Sequence, residues 1–292
     1  MTQPNFFIIG APKSGTTALA SYLSLHPNVF LTDPKEPHHY NSDLNHGSFK
    51  DREKYLSLFE QTEVCHSAIG EASVWYLYSS EAVSNILADI PDAKFIVMLR
   101  NPVDMAPSLH EQAVFTGYET ELDFEAAWEL QKRRRNGDDV PFWCDEPKLL
   151  LYEDVCLIGT QYERVARIIP KSNLLPILFD DFKRDTRAVW LDVCKFLGIP
   201  DDGRSDFPIV NSAKTRRSLF LRRINDAYCR ARLFIGFGGF GSGFFSKVGA
   251  WNIKERERPP LDPEFLARLK YSFKEDISLL ERSLGRDLSH WL

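Results

Sequence analysis

The feature that most constrains this chain lies near its start. There the apolar run Phe6-Phe7-Ile8-Ile9 enters Gly10-Ala11-Pro12-Lys13-Ser14-Gly15-Thr16-Thr17, and a helix-like segment follows to about His26. A buried strand, a turn of small residues and a helix follow one another, and Pro27 ends the helix because its ring removes a backbone donor. Such a junction aims a helix N-terminus, with its free N–H groups and positive dipole end, at whatever lies over the end of the strand, which makes it an anion site. Gly15 frees the turn, Thr16 and Thr17 offer hydroxyls, and Lys13 adds a full charge. The plainer alternative is an ordinary strand-to-helix turn with an exposed lysine, and the agreement of these features at one place weighs against it.

Spacing narrows the choice of anion. A nucleotide-binding loop of the form G-x-x-x-x-G-K-[ST] carries its lysine after the second glycine. Gly10 and Gly15 keep that separation, but Lys13 lies between them and Thr16 takes the lysine position. The remainder of a P-loop nucleotidase would include a magnesium-binding aspartate at a strand end. Here the clearest strand, Lys94 to Leu99 (KFIVML), runs into Arg100-Asn101-Pro102-Val103-Asp104, with Ser108 on the helix that follows. Arginine offers a fork for a second phosphate rather than a metal ligand. Two cationic sites therefore stand where a metal would, which speaks against ATP hydrolysis, and no metal is expected.

The rest of the chain alternates short apolar runs with amphipathic segments. NVFL, AIGEAS, KFIVML and NLLPILF read as strands; SSEAVSNILADI, IGTQYERVARII, VWLDVCKFLGI and Pro263 to Leu284 read as helices, with Pro102 to Arg135 mostly helical. Continuous apolar strands between helices imply an α/β fold, P-loop-like and three-layered, with a central parallel sheet flanked by helices. No repeat or linker divides the 292 residues, so a single domain over 1–292 is expected. Within it, about 213–258 forms a variable segment: a basic stretch from Thr215 to Arg232 reads as a helix, and LFIGFGGFGSGFFSKVGAW follows. A core helix with a loop, a lid over an acceptor pocket and a peripheral contact with membrane lipid are its three readings.

The formal net charge of −5 argues against a nucleic-acid partner, which would call for a basic surface. The five scattered cysteines, odd in number and without a C-x-x-C pair, argue against a disulfide framework or zinc site and suit a reducing cytoplasm. No apolar run reaches the ~18 residues of a spanning helix, and the start lacks a basic leader, so neither a transmembrane segment nor a signal peptide is expected. His26, His46, His66, His110 and His290 show no metal-ligand spacing and read as structural.

PKSGTT after an apolar strand, followed by IVMLRNPVDMAPS, resembles the sulfotransferases that use 3′-phosphoadenosine 5′-phosphosulfate (PAPS), in their bacterial and carbohydrate-type branch. KEPHHY, GEASVWYL, LPILFDDFKRDTRAVWLDVCKFLGIP and LLERSLGRDLSHWL extend the resemblance over most of the chain. It implies in-line transfer of a sulfuryl group to an acceptor hydroxyl or amine, with PAPS as co-substrate and adenosine 3′,5′-bisphosphate (PAP) as product. Pro12, Lys13, Ser14, Gly15, Thr16 and Thr17 would then cradle the 5′ end, with Lys13 stabilising the leaving group. Arg100 and Ser108 would hold the 3′-phosphate. Glu36 of KEPHHY would be the general base, and His38 would assist it or bind acceptor.

By the same resemblance Glu71 would position substrate and Ser73 would line the nucleotide pocket. The lysine that often follows this glutamate in carbohydrate members is Ala72 here, which counts against a heparan-type acceptor. The late stretch NIKERERPPLDP would close on the 3′-phosphate through Lys254, Arg256 or Arg258, a solvated charge run being the bland alternative. A small molecule, a glycan or a lipid all fit as acceptor. Two other readings stay open: a P-loop kinase or NTPase, and a non-catalytic module that binds the nucleotide and transfers nothing.

Overall fold

The computed structural model describes residues 2–47, 49–208 and 260–292 in full, and 214–216 and 253–255 as backbone. Five strands form one sheet: β1 (Phe6–Ile8), β2 (Val29–Leu31), β3 (Ala68–Ala72), β4 (Lys94–Leu99) and β5 (Leu174–Leu178). All four pairings are parallel and the order is β2-β3-β1-β4-β5. The helices are α1 (Thr16–Leu23), α2 (Arg52–Ser57), α3 (Ala82–Asp89), α4 (Pro102–Thr116), α5 (Phe124–Glu129), α6 (Gln131–Arg134), α7 (Tyr152–Cys156), α8 (Ile158–Ala166), α9 (Phe179–Arg184), α10 (Thr186–Leu197) and α11 (Pro263–Leu284).

The continuous apolar character of the strands makes this a buried sheet. Phe6 and Ile8 of β1 and Ile96 and Met98 of β4 point into one core, which α1 and α10 cover. Phe7, Ile9, Phe95, Val97 and Leu99 point into the other, covered by α3, α4, α8 and α11. Each such side chain contributes about 1.5–3 kcal/mol by leaving water. The result is the three-layer α/β arrangement expected from the sequence. β1 lies mid-sheet, with β3 and β2 to one side and β4 and β5 to the other. In sheets of this kind ligands bind beyond the carboxyl ends of the strands where the order switches direction.

Several expected boundaries shift for local reasons. α1 ends at Leu23, and the Asn28 N–H then donates to Nδ1 of His26 at 3.0 Å, fixing a tight turn before β2. The helical stretch expected from Pro102 to Arg135 is broken by Gly117, which closes α4 in a left-handed conformation, and resumes where Asp123 caps α5. Short α2 has no counterpart in the expectations; its start is set by Asp51, whose carboxylate accepts from the Lys54 N–H at 2.9 Å. Lys214–Arg216 forms β6, antiparallel to β7 (Ile253–Glu255), so the helix expected to begin at Thr215 begins as strand. Extended backbone wins there because pairing with β7 satisfies its N–H and C=O groups. The remainder of that helix and the Phe/Gly-rich segment lie outside the described residues. Among the described residues no helix is long and apolar enough to cross a membrane.

Candidate active site

The loop after β1 carries Pro12, Lys13, Ser14 and Gly15 to the start of α1. Gly15, at φ 88°, is the N-cap, and no side chain caps the helix there, whereas Asn101, Asp123, Asp185 and Asp262 cap α4, α5, α10 and α11. The N–H groups of Thr16 and Thr17 are thereby left for a ligand, while the Ala18 N–H already donates to the Gly15 carbonyl at 3.0 Å. A Cβ at Gly15 would lie 3.0 Å from the Phe179 ring, so glycine also admits that ring. The Ser14 hydroxyl donates to the Pro12 carbonyl at 3.3 Å and is buried, as is Thr16.

The end of β4 meets this loop. Arg100 Nη1 donates to the Lys13 carbonyl at 2.8 Å, and the guanidinium lies 5.1 Å from the centre of the Phe179 ring. Lys13 Nζ donates to Oε1 of Gln112 at 3.2 Å. Gln112 lies one turn beyond Ser108 on α4, and residues four apart share a helix face, so Lys13, Arg100 and Ser108 belong to one region. A helix N-terminus with lysine and arginine beside it fits a group that is anionic at both ends.

On the other side of β1 the chain leaves β2 into KEPHHY. The Glu36 N–H donates to the Ala72 carbonyl at 3.1 Å, which carries the ladder with β3 past the end of β2. The His38 N–H donates to the Ser73 hydroxyl at 3.1 Å, and that hydroxyl donates to Glu71 at 2.7 Å. Tyr55 and Tyr76 donate to the same carboxylate at 2.8 and 2.9 Å. Burial pushes the Glu71 carboxyl up to about 7 despite these three hydroxyls, which favour its charged form. Glu71 and Ser73 are both fully buried, and their contacts run to the loop that bears Glu36 and His38.

Glu36 is tuned the opposite way. Burial alone would raise its carboxyl, but His38 and Lys35 beside it outweigh that and hold it at about 2. Lys35 Nζ donates to Glu36 Oε1 at 2.7 Å, and His38 Nε2 lies 3.5 Å from Oε2. Both ring nitrogens of His38 are buried, so this contact with Glu36 is shielded from water. Lys13, Glu36 and His38 sit at φ 61°, 64° and 52°; among the described residues the other non-glycine at positive φ is Asp139. Backbone held in that region costs about 1–3 kcal/mol and gathers at sites where function demands it.

Glu36 and His38 face a pocket of about 450 Å³ that Asn45, His46, Gly47, Tyr118 and Asp145 complete. Burial holds the His46 imidazole below its ordinary value, favouring the neutral ring. The structure thus brings Pro12 to Thr17, Arg100, Ser108, Glu36 and His38 to one end of the sheet. Lys254 is described only as backbone, and Arg256 and Arg258 lie outside the described residues. Lys35, Gln112, Tyr118 and Asp145 join the site without having been singled out, and His46, read from the sequence as structural, lines the pocket. Lys35 had a signal, its place beside Glu36 in a proline-bounded turn; the others meet only through tertiary folding.

A family model described as a sulfotransferase domain matches residues 3–212. Bifunctional heparan sulfate N-deacetylase/N-sulfotransferase 4 of Mus musculus is 27% identical over 307 residues, covering 99% of this chain and 31% of its own length. The membrane-associated sulfotransferase kil1 of Dictyostelium discoideum is 34% identical over 114 residues, 38% of this chain and 23% of its own. The chain therefore spans less than a third of either relative's length. Among solved structures, a sulfotransferase from Alicyclobacillus acidocaldarius matches with a TM-score of 0.74 at 27% identity, covering 100% of this chain and 99% of that one.

Proposed function

We propose, from the premise that this chain belongs to the sulfotransferase domain family, that it transfers a sulfuryl group from PAPS to an acceptor hydroxyl or amine. The observation that carries this reading is the convergence of Lys13, Arg100 and the uncapped start of α1 on one side of β1 with the carboxylate of Glu36 on the other. The first group matches the charges of the donor, and the second faces a pocket that an acceptor can enter.

Transfer breaks the bond between sulfur and the bridging phosphate oxygen and forms one between sulfur and the acceptor atom. The electron pair of the broken bond goes to the 5′-phosphate, where Lys13 and the helix N-terminus stabilise it. The acceptor proton goes to Glu36, which is a carboxylate at neutral pH. His38, against Glu36 and the pocket, orients base or acceptor. Arg100 and Ser108 hold the 3′-phosphate. Glu71 and Ser73 act one layer below, fixing the loop through the His38 N–H. Glycan acceptors enter the proposal because heparan sulfate appears in the names of similar proteins; a small molecule or lipid headgroup fits the same chemistry. A cytoplasmic location is part of the proposal, supported by the free thiols Cys65, Cys144, Cys156 and Cys194.

Calorimetric titration with PAP tests the donor assignment. Binding in the micromolar range is expected, and Arg100→Ala should weaken it by about tenfold or more, as loss of a charge-assisted phosphate contact does. No binding by the wild-type chain at tens of micromolar would sink the assignment.

A further inference from the structure

Lys35 is the cation in this site that no role above absorbs. Its Nζ lies 2.7 Å from Glu36 Oε1 and 3.3 Å from the Thr17 hydroxyl. Thr17 stands in the first turn of α1, inside the anion cradle, and Glu36 is the carboxylate on the pocket side. One ammonium group therefore spans the donor and acceptor halves of the site, where a group passing between them must travel. Three-quarters of the side chain is shielded from solvent, which strengthens its pull on an anion.

We propose that Lys35 is the cation that follows the sulfuryl group in flight, and that it exchanges its contact with Glu36 for one with the sulfuryl oxygens when PAPS binds. This rests on the donor reading given above. The exchange ties the two halves of the reaction together. While Lys35 holds Glu36, the carboxylate is a weak base. Once Lys35 turns to the sulfuryl oxygens, Glu36 loses its counter-ion beside a newly arrived negative group, and its affinity for the acceptor proton rises. The proton then passes from the acceptor to Glu36 as the new sulfur bond forms and the electron pair of the old bond leaves with PAP. Donor binding thus arms the base, and deprotonated acceptor does not build up before the sulfuryl group is present.

The comparison of PAPS with PAP isolates this role, because PAP keeps both phosphates and lacks the sulfuryl group. Titrations of the full chain with each ligand, for the wild type, Lys35→Met and Lys35→Arg, give the readout. Lys35→Met should weaken PAPS binding by about tenfold or more, the effect of losing one hydrogen bond to a charged group, and leave PAP binding within about threefold. Lys35→Arg, which keeps the charge, should restore most of the PAPS affinity. In ¹³C-carboxyl NMR, the Glu36 resonance should titrate at higher pH in Lys35→Met, and in the wild type its midpoint should rise when PAPS replaces PAP. Equal losses for both ligands would make Lys35 a part of the phosphate cradle and overturn the proposal. An unmoved Glu36 titration would do the same. Failure of the wild type to bind PAP at all is a separate outcome, and it would overturn the donor reading and the role of Lys35 with it.

Discussion

Glu71 takes hydrogen bonds from Tyr55, Ser73 and Tyr76, and burial still pushes its carboxyl up to about 7. Glu36 lies against His38 and the ammonium group of Lys35, and together they hold it at about 2. The contrast shows what decides the proton affinity of a shielded carboxyl: hydroxyl donors soften the loss of water, and a histidine and an ammonium group together reverse it. Glu71 has a consequence for stability. Its folded-state value lies above the ordinary 4.5, so the native chain holds a proton that the unfolded chain has released. Its contribution is fully present below about pH 4.5 and is lost as pH rises through about 7, a change of roughly 3 kcal/mol. Urea unfolding of Glu71→Gln at pH 5 and pH 8 should show a smaller fall in stability than the wild type shows; an equal fall would refute the assignment. The turn at Glu36 was legible in KEPHHY because two prolines bracket the carboxylate. The two-sided contact of Lys35 was not, since Thr17 reaches it only through the fold.

At the scale of elements, the junction of β1, the anion loop and α1 works as one unit with the end of β4 and the start of α9. Gly15 makes room for Phe179, Phe179 lies against Arg100, and Arg100 grips the carbonyl of Lys13. Gly15→Ala meets both a left-handed backbone and the Phe179 ring, while Gly198→Ala, at φ 75°, meets only the backbone, with open space around its Cβ. Each should cost about 1–2 kcal/mol in conformational strain. Only Gly15→Ala should also lower PAP affinity, by about tenfold, because the ring that backs Arg100 must move. Parallel chemical denaturation and PAP titration of the two variants separate these effects, and equal PAP affinities would count against the unit. The sequence announced the elements with strong punctuation: α11 begins at Pro263 and ends before Gly285, as its periodicity implied. Short elements were harder to read. Six-residue α2 has too few turns for a period, and β6 owes its form to pairing with distant β7.

For the whole molecule, the parallel sheet gathers Lys13, Arg100 and Glu36 at one end by running every strand in the same direction. A ligand bound there contacts the ends of several strands and should stabilise the fold by mass action. PAP at a hundred times its Kd should add about 2.7 kcal/mol and raise the thermal midpoint by several degrees. Mg-ATP at the same concentration should add far less, and a larger shift with Mg-ATP would revive the kinase reading. The sheet type was legible because the strands are apolar throughout. The order β2-β3-β1-β4-β5 was not, since no local pattern says which strands flank β1. The pocket was hidden for a related reason: Glu36, Tyr118 and Asp145 come from remote parts of the chain and meet only on folding. The left-handed backbone at Glu36 and His38 turns this into an opportunity. Glycine is the residue that such a backbone suits best, so Glu36→Gly removes the proposed base without straining the turn. If Glu36 takes the acceptor proton as proposed, that variant should hold donor and acceptor side by side without reacting, and through it the acceptor can be fished out and seen.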